Sequence, residues 1–272
     1  MISYVLFSGG LGNQMFQYAF LLALRKKGIH AKMDLMPFEW EKVHNGFELD
    51  KVFGIHEDHV SESFLHKYYY IFLKKFLPKK VFQDYMQYYP QVFDQGIVFY
   101  DGFWQWYIYF KHCEKEVRDA FDFKGIDDRN LAIKNQMHRE SSVSIHFRRG
   151  DYLQIPRLMV CDDIYYKNAI GYIIEHVDNP VFYVFSNDVE WSRGFMENLH
   201  VQYKVVDFNQ GKDSYKDMFL MSQCKHNIIA NSSFSWWGAW LNQNSDKIVV
   251  APKEWNRRVP NFHPQLDSWI TY

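Results

Sequence analysis

The stretch SIHFRRGDYL, residues 144–153, ends an apolar run on His146, Arg148 and Arg149 and then turns through Gly150 and Asp151. Two adjacent guanidiniums repel each other and are costly to desolvate, so the arrangement calls for an anion opposite them. A guanidinium offers a fixed fork that matches phosphate oxygens, which a lysine cannot copy. In an extended strand Ser144, His146 and Arg148 share one face and Val143, Ile145 and Phe147 the other. His146 and Arg148 can therefore address one ligand together, with Arg149 left at the turn. The plainer alternative is an arginine–aspartate ion pair that pins the loop. Such a pair does not need two arginines, which favours the anion.

The stretch NSSFSWWG points the same way. Ser232 and Ser233 stand where a helix begins, and a helix start offers N–H groups and a dipole that favour negative charge. A serine there also serves as an N-cap, and the two roles are compatible. Trp236, Trp237 and Trp240 read as core. Asn231-Ser232-Ser233 spells a glycosylation sequon, set aside for a chain read as cytosolic. Near the N-terminus, SGGLGNQ follows an apolar run and leads toward a strand ending at Asp34. That suggests a dinucleotide-binding start, but the fingerprint needs a third glycine where Met15 stands. The loop reads instead as backbone that approaches a ligand with Asn13 and Gln14, or as a tight turn with no ligand. No metal-ligand spacing and no D-x-D triplet occurs. Asp127-Asp128 and Asp162-Asp163 read as helix or turn starts. A bound diphosphate would be neutralised by protein cations and helix ends.

These residues must be held by regular elements. From residue 141 the strands SVSIHF, PVFYVF, YKVVDF, HNIIA and KIVVAP alternate with four helices, which implies a parallel, doubly wound sheet. In such a sheet ligands bind outside the carboxyl ends of the strands. The exits there are His146 to Asp151, Ser186 to Asp188, Asp207, and Asn231 to Ser233. The N-terminal part opens as strand, glycine loop, helix (MFQYAFLLALRKK, stopped by Gly28) and strand (IHAKMDL). Residues 37–140 are dense in aromatics but poor in periodicity. VHNGFELDKVFG reads as loop and turn, and GIVFYDGFWQWYIYF as a strand running into a cluster of rings. FLHKYYYIFLKKFLPKKVF reads as a helix with five lysines, either a solvated face or a face resting on an anionic membrane.

Bulk composition narrows the class. Lys and Arg total 31 against 32 Asp and Glu, so no global field favours nucleic acid and any anion site is local. Three scattered cysteines give no disulfide framework and suit a reducing compartment. No signal peptide and no apolar run of about 18 residues is present. The expected location is the cytoplasm, or the inner face of the membrane as a peripheral protein.

The segments GGLGNQMFQYA, HFRRGDY and NSSFSWWGAWL, in this order and at these distances, resemble the bacterial α-1,2-fucosyltransferases of glycosyltransferase family 11. The resemblance spans residues 3 to about 255, loosely in the middle third. It implies an α/β, GT-B-like fold of two Rossmann-like lobes with a donor cleft between them. Residues 1–140 would form the acceptor side and 141–272 the nucleotide-binding lobe. The implied activity is inverting transfer of L-fucose from GDP-β-L-fucose to the 2-hydroxyl of a terminal galactose, in glycan or O-antigen synthesis. GDP-fucose would be a co-substrate, with no cofactor and no divalent metal, and the acceptor a galactose-terminated glycan.

The resemblance also distributes roles. Arg148 would take the β-phosphate, with His146 and Arg149 among the donor contacts. Ser232, Ser233 and Phe234 would meet the diphosphate, and Asn187 or Asp188, with Asp217 a further candidate, would read guanine or ribose. Gly12 and Asn13 would face the donor from the N-terminal lobe. Asp151 is the candidate general base, pairing with Arg149 or capping the turn being its alternative. Trp104, Trp106 and Tyr107 could stack on the acceptor galactose. The competing readings are another fucosyl linkage, a non-catalytic nucleotide-sugar or glycan-binding module, and an NAD-dependent enzyme using the N-terminal loop.

Overall fold

The computed structural model describes residues 1–40, 45–57, 59–60, 64–94 and 96–272, apart from the side chains of residues 40, 64, 65 and 151. The chain divides into two compact units, Met1–Lys124 and Gly125–Tyr272.

The first unit runs β1 (Ser3–Leu6), α1 (Leu11–Lys26), β2 (Ala31–Asp34), α2 (Pro37–Trp40), α3 (Leu49–Phe53), β3 (His59–Val60), α4 (Phe64–Phe76), β4 (Val81–Gln83), β5 (Phe99–Asp101) and α5 (Glu114–Ala120). Its strands form a parallel sheet in the order β3-β2-β1-β5-β4. Gly28 ends α1 in the left-handed region at φ +81° and donates to the Arg25 carbonyl at 2.9 Å, as a C-terminal glycine should. Helix α1 starts before the expected MFQ, so Gly12 and Asn13 lie in its first turn and not in a loop. VHNGFELDKVFG also differs from its reading as loop and turn. It contains α3, ended by Gly54 at φ +70°, while its residues 43 and 44 lie outside the described ones.

The core of this unit is aromatic. The Phe20 ring stacks on Trp104 at 4.3 Å and meets Tyr100 and Tyr109 edge-on. Trp104 is fully buried and adopts φ +56°, a costly conformation for a large side chain. Half-buried Asp84 helps hold it there, accepting the Trp104 N–H at 2.9 Å and the Met86 N–H at 2.8 Å.

The second unit runs α6 (Asp128–Arg139), β6 (Ser141–Phe147), α7 (Asp163–His176), β7 (Pro180–Ser186), α8 (Val189–Glu197), β8 (Tyr203–Val206), α9 (Tyr215–Gln223), β9 (His226–Ile228), α10 (Ser233–Leu241), β10 (Val249–Ala251) and β11 (Ile270–Thr271). The parallel order is β11-β10-β9-β6-β7-β8. KIVVAP is therefore not the last strand; β11, too short to carry a period, follows it. The unit begins earlier than the 140/141 boundary expected from sequence because α6 is tied to α9. Lys216 pairs with Asp127 at 2.8 Å, and Asn130 exchanges amide hydrogen bonds with Asn209.

Val143, Ile145 and Phe147 of β6 face a core with Tyr165, Tyr166 and Ile170 of α7 and Phe195 of α8. The opposite face of β6 is also buried: Ser144 accepts from Asn227 at 2.7 Å. Trp236, Trp237 and Trp240 are buried among themselves, as read from the sequence. A Cβ on Gly238 would come within 2.8 Å of the Met221 Cβ, so glycine is what lets α10 press against α9.

Candidate functional site

In the second unit the chain runs outward from β6 through β7 to β8, then returns to the other side of β6 for β9, β10 and β11. The reversal lies between β6 and β9. Loops leaving neighbouring strands at such a point part to opposite faces and open a crevice at the carboxyl ends. The loops there carry His146 and Arg148 on one side, and Asn231, Ser232 and Phe234 on the other.

The structure brings these two loops together through several contacts. The Tyr152 ring lies under Arg148, 5.0 Å from the guanidinium carbon, and its hydroxyl donates to the Asn231 carbonyl at 3.4 Å. The rings of His146 and Phe234 are 6.1 Å apart. Asn231 is locked in place, donating to the carbonyls of Leu158 at 2.9 Å and Trp255 at 3.0 Å. From beneath, consecutive tyrosines of α7 hold both exits. Tyr166 donates to the His146 carbonyl at 2.9 Å and Tyr165 to the Ile229 carbonyl at 2.5 Å. Those tyrosines were missed as site-builders in the sequence; a buried Tyr-Tyr pair, each hydroxyl requiring an acceptor, was the available signal.

Ser232 caps α10, accepting the Phe234 N–H at 3.3 Å, and the first turn holds no acidic residue. The positive end of this helix therefore faces the crevice unopposed from within its own turn. His146 is buried, and its Nδ1 has no hydrogen-bond partner among the described residues. Burial, reinforced by the Arg148 charge, pushes its pKa down to about 3. At neutral pH the imidazole is thus uncharged. It can exchange a hydrogen bond with a ligand, while the cationic work falls to Arg148.

Other expected ligand residues are occupied within the protein. Arg149 lies flat on Trp191, 3.8 Å from the ring centre, and pairs with Asp188 at 3.2 Å. Asp188 also caps α8, and Asn187 accepts the Arg149 N–H at 2.9 Å. The ion-pair reading thus holds for Arg149, which pairs with Asp188. Gly150 sits at φ +36° where a Cβ would run into the Asn187 amide, which keeps this corner tight. The Asp151 side chain lies outside the described residues; its backbone belongs to the 3-10 turn Gly150–Gln154. Asp207 pairs with Arg193 at 3.6 Å. Asp217 accepts from Asn209 at 2.8 Å, within the amide chain that links α9 to α6. Burial, with Asp207 nearby, raises the Asp217 pKa to about 7.

In the first unit the reversal lies between β1 and β5. The Asn13 side-chain oxygen accepts from the Gln105 amide at 2.7 Å, joining the first turn of α1 to the loop after β5. Gln14, which sequence reading placed near a ligand, is instead fully buried. Its amide donates to the carbonyls of Gly9 at 2.9 Å and Gly46 at 2.8 Å, and its oxygen accepts the Glu48 N–H at 2.9 Å. Gln17, also fully buried, accepts from Ser8 and donates to Gly102. Asp34, the acidic residue of the dinucleotide reading, is fully buried and bonded to His66 at 2.9 Å. Trp104 belongs to the core and cannot stack on a sugar. Trp106 and Tyr107 are half-buried, with the Tyr107 hydroxyl on Glu114 at 2.5 Å. Among the described residues, no group of three His, Cys, Asp or Glu side chains is placed to hold a metal ion, and no helix is long and apolar enough to cross a membrane.

Comparison with known proteins agrees with this geometry. The pattern of Glycosyl transferase family 11 matches residues 3–268. An alpha-1,2-colitosyltransferase of Escherichia coli is 35% identical over 97% of this chain and 96% of its own. A galactoside alpha-(1,2)-fucosyltransferase of Lagothrix lagotricha is 30% identical over 60% of this chain and 49% of its own. The fucosyltransferase NodZ from Bradyrhizobium superposes with a TM-score of 0.52 at 12% identity, over 88% of this chain and 91% of its own, a likeness of GT-B fold alone. With two parallel α/β sheets and a family pattern running almost from end to end, this chain is a member of glycosyltransferase family 11.

Proposed function

We propose that the protein transfers L-fucose from GDP-β-L-fucose to the 2-hydroxyl of a terminal galactose, with inversion and without a divalent metal. The observation that carries this reading is that Arg148, after β6, and the capped start of α10, after β9, flank one strand reversal and are linked through Tyr152 and Asn231. A nucleoside diphosphate sugar needs positive potential where its leaving phosphate gathers charge, and a fixed guanidinium and a helix N-terminus supply it. Arg148 takes the β-phosphate, and Ser232, Ser233 and Phe234 present hydroxyl and backbone groups to the diphosphate. His146 adds a neutral hydrogen bond. Arg149, Asn187 and Asp188 brace the loop that aims Arg148, and Asn187 or Asp188 also meets the nucleoside. Asp217 remains a candidate for that nucleoside contact.

The acceptor hydroxyl must lose a proton as the glycosidic bond forms. Asp151, two residues beyond the tandem arginines, is the base assigned to it. The first unit is assigned to the acceptor, with Trp106 and Tyr107 as sugar-facing rings. The 60% of the chain that matches a galactoside alpha-(1,2)-fucosyltransferase supports both linkage and acceptor class.

A second reading keeps the linkage and changes the sugar. The relative at 35% identity is a colitosyltransferase, and colitose is L-fucose without its 3-hydroxyl. The deciding experiment measures GDP release from GDP-fucose and GDP-colitose with a panel of galactosides, with and without EDTA. Turnover with GDP-fucose, indifferent to EDTA and yielding an α-1,2 product, is expected. Turnover with GDP-colitose alone would transfer the assignment to the second sugar, and GDP binding without turnover on either donor would leave a non-catalytic module.

A further inference from the structure

Helix α4 has two unlike sides. Inward, Tyr70 and Leu73 pack with Leu6, Val81 and Phe99. Outward, Tyr68, Phe72 and Phe76 follow at four-residue intervals, so they form one stripe along the helix. They are 52%, 51% and 60% exposed, and Tyr69, Ile71 and Leu77 are exposed beside them. The Phe72 and Phe76 rings touch at 5.2 Å, making the stripe a continuous apolar surface.

Along residues 64–83 the charge has one sign. Residues 64–83 carry five lysines and no Asp or Glu, in a chain whose net charge is −1. Lys74 turns inward to Tyr70 and Asp101, and Lys80 to the Gly96 carbonyl. Lys75 lies 5.2 Å from the Phe76 ring centre and, with Lys79, is exposed at the same end of the stripe. A helix face meant only for water mixes both signs and pairs them along the helix. A second copy of the chain laid two-fold on this face would bring lysines against lysines. Rings flanked by lysines instead suit the boundary of a bilayer, where the rings sit at headgroup depth and the ammonium groups meet phosphate.

We infer that the outer face of α4 docks the protein on a membrane surface rich in anionic phospholipid. The inference is independent of the donor and acceptor assignments.

Flotation of the full chain with vesicles tests it. With equal parts phosphatidylglycerol and phosphatidylcholine the protein should float, and with phosphatidylcholine alone it should stay behind. Added salt should release it. Phe72→Ser with Phe76→Ser should abolish flotation, and Lys75→Gln or Lys79→Gln should each weaken partitioning roughly fivefold. Thermal midpoints of all these variants should match the parent, showing the fold intact. The inference fails if the parent ignores phosphatidylglycerol vesicles, or if the folded Phe72/Phe76 variant floats equally well. It also fails if sedimentation shows a dimer that this variant dissolves, since a second copy would then be the occupant.

Discussion

Each unit has a parallel sheet that reverses direction at its centre, and the two reversals treat their polar side chains in opposite ways. Between β1 and β5, Gln14 and Gln17 are fully buried and spend their amides on loop carbonyls and N–H groups of the same unit. Between β6 and β9, the His146 Nδ1 is buried with no partner among the described residues, and Ser232 caps a helix whose first turn carries no acid. A buried polar atom costs free energy unless something pairs with it. Gln14 and Gln17 have met that cost within the first unit. The His146 Nδ1 has not met it among the described residues.

The strongest way to break this contrast is Arg148→Ala. It should lower turnover in the GDP-release assay at least a hundredfold, since loss of a transition-state donor typically costs about 3–4 kcal/mol of barrier. The thermal midpoint should stay near the parent's. Turnover close to normal would remove the second reversal from the chemistry.

Gln17→Ala should show the converse. It deprives the Ser8 N–H and the Gly102 carbonyl of their partner, and orphaned groups of this kind cost about 1–3 kcal/mol each. Chemical denaturation should report a stability loss of about 2–6 kcal/mol, with turnover of the remaining folded protein little changed. A collapse of turnover without loss of stability would make the first reversal a ligand site as well.

Acidity sharpens the contrast inside the second unit. His146 has a folded pKa of about 3 against an ordinary 6.5, so below pH 6.5 the unfolded chain takes up a proton that the folded one refuses. Its contribution to stability is therefore present above that pH and is lost as pH falls toward 3, by about 1.4 kcal/mol per pH unit at most. Asp217 has a folded pKa of about 7 against 3.8, so it acts in the opposite sense. The folded state keeps a proton that the unfolded state releases, and stability is lost as pH rises from 3.8 to 7. Denaturation midpoints should show His146→Gln gaining on the parent at pH 5 relative to pH 7. Asp217→Asn should gain at pH 8 and lose that gain near pH 4.

The smallest effect on activity is expected at the rings. Trp106→Ala should raise KM for a galactoside severalfold and leave KM for the donor alone. Trp104→Ala should instead destabilise the fold by about 3–5 kcal/mol, the usual cost of emptying a large aromatic site. Equal effects at both positions would remove the distinction between them.

These contrasts also explain what could be read in advance. The second unit was legible because its strands are apolar runs separated by well-capped helices. Asp127, Asp162, Asp188 and Ser232 each accept an N–H from the first turn of the helix they cap. The convergence of the His146 and Arg148 exit with the Asn231 to Ser233 exit followed from strand order and alternation, whereas Phe234 came only with the family resemblance. The middle of the first unit was not legible, because β3, β4 and β5 are two or three residues long and short 3-10 turns link several of its elements. No period can emerge from segments that short. Nor does the sequence signal that Trp104 adopts a left-handed conformation, because Asp84, twenty positions away, holds the backbone there. Arg149 was misleading in a different way. Its chemistry suits phosphate, but Trp191 and Asp188 claim it, and neither is near it in sequence.

Gly238 has a consequence for the other end of its helix. The missing side chain seats α10 directly on Met221, and three indoles pack around that seat. The tilt of the helix, and hence the direction of the field at Ser232, is fixed at a contact with no ligand in reach. Gly238→Ala would swing that field while leaving His146, Arg148, Ser232 and Phe234 chemically unchanged. A screen confined to residues that touch the donor would overlook the hinge on which their aim depends.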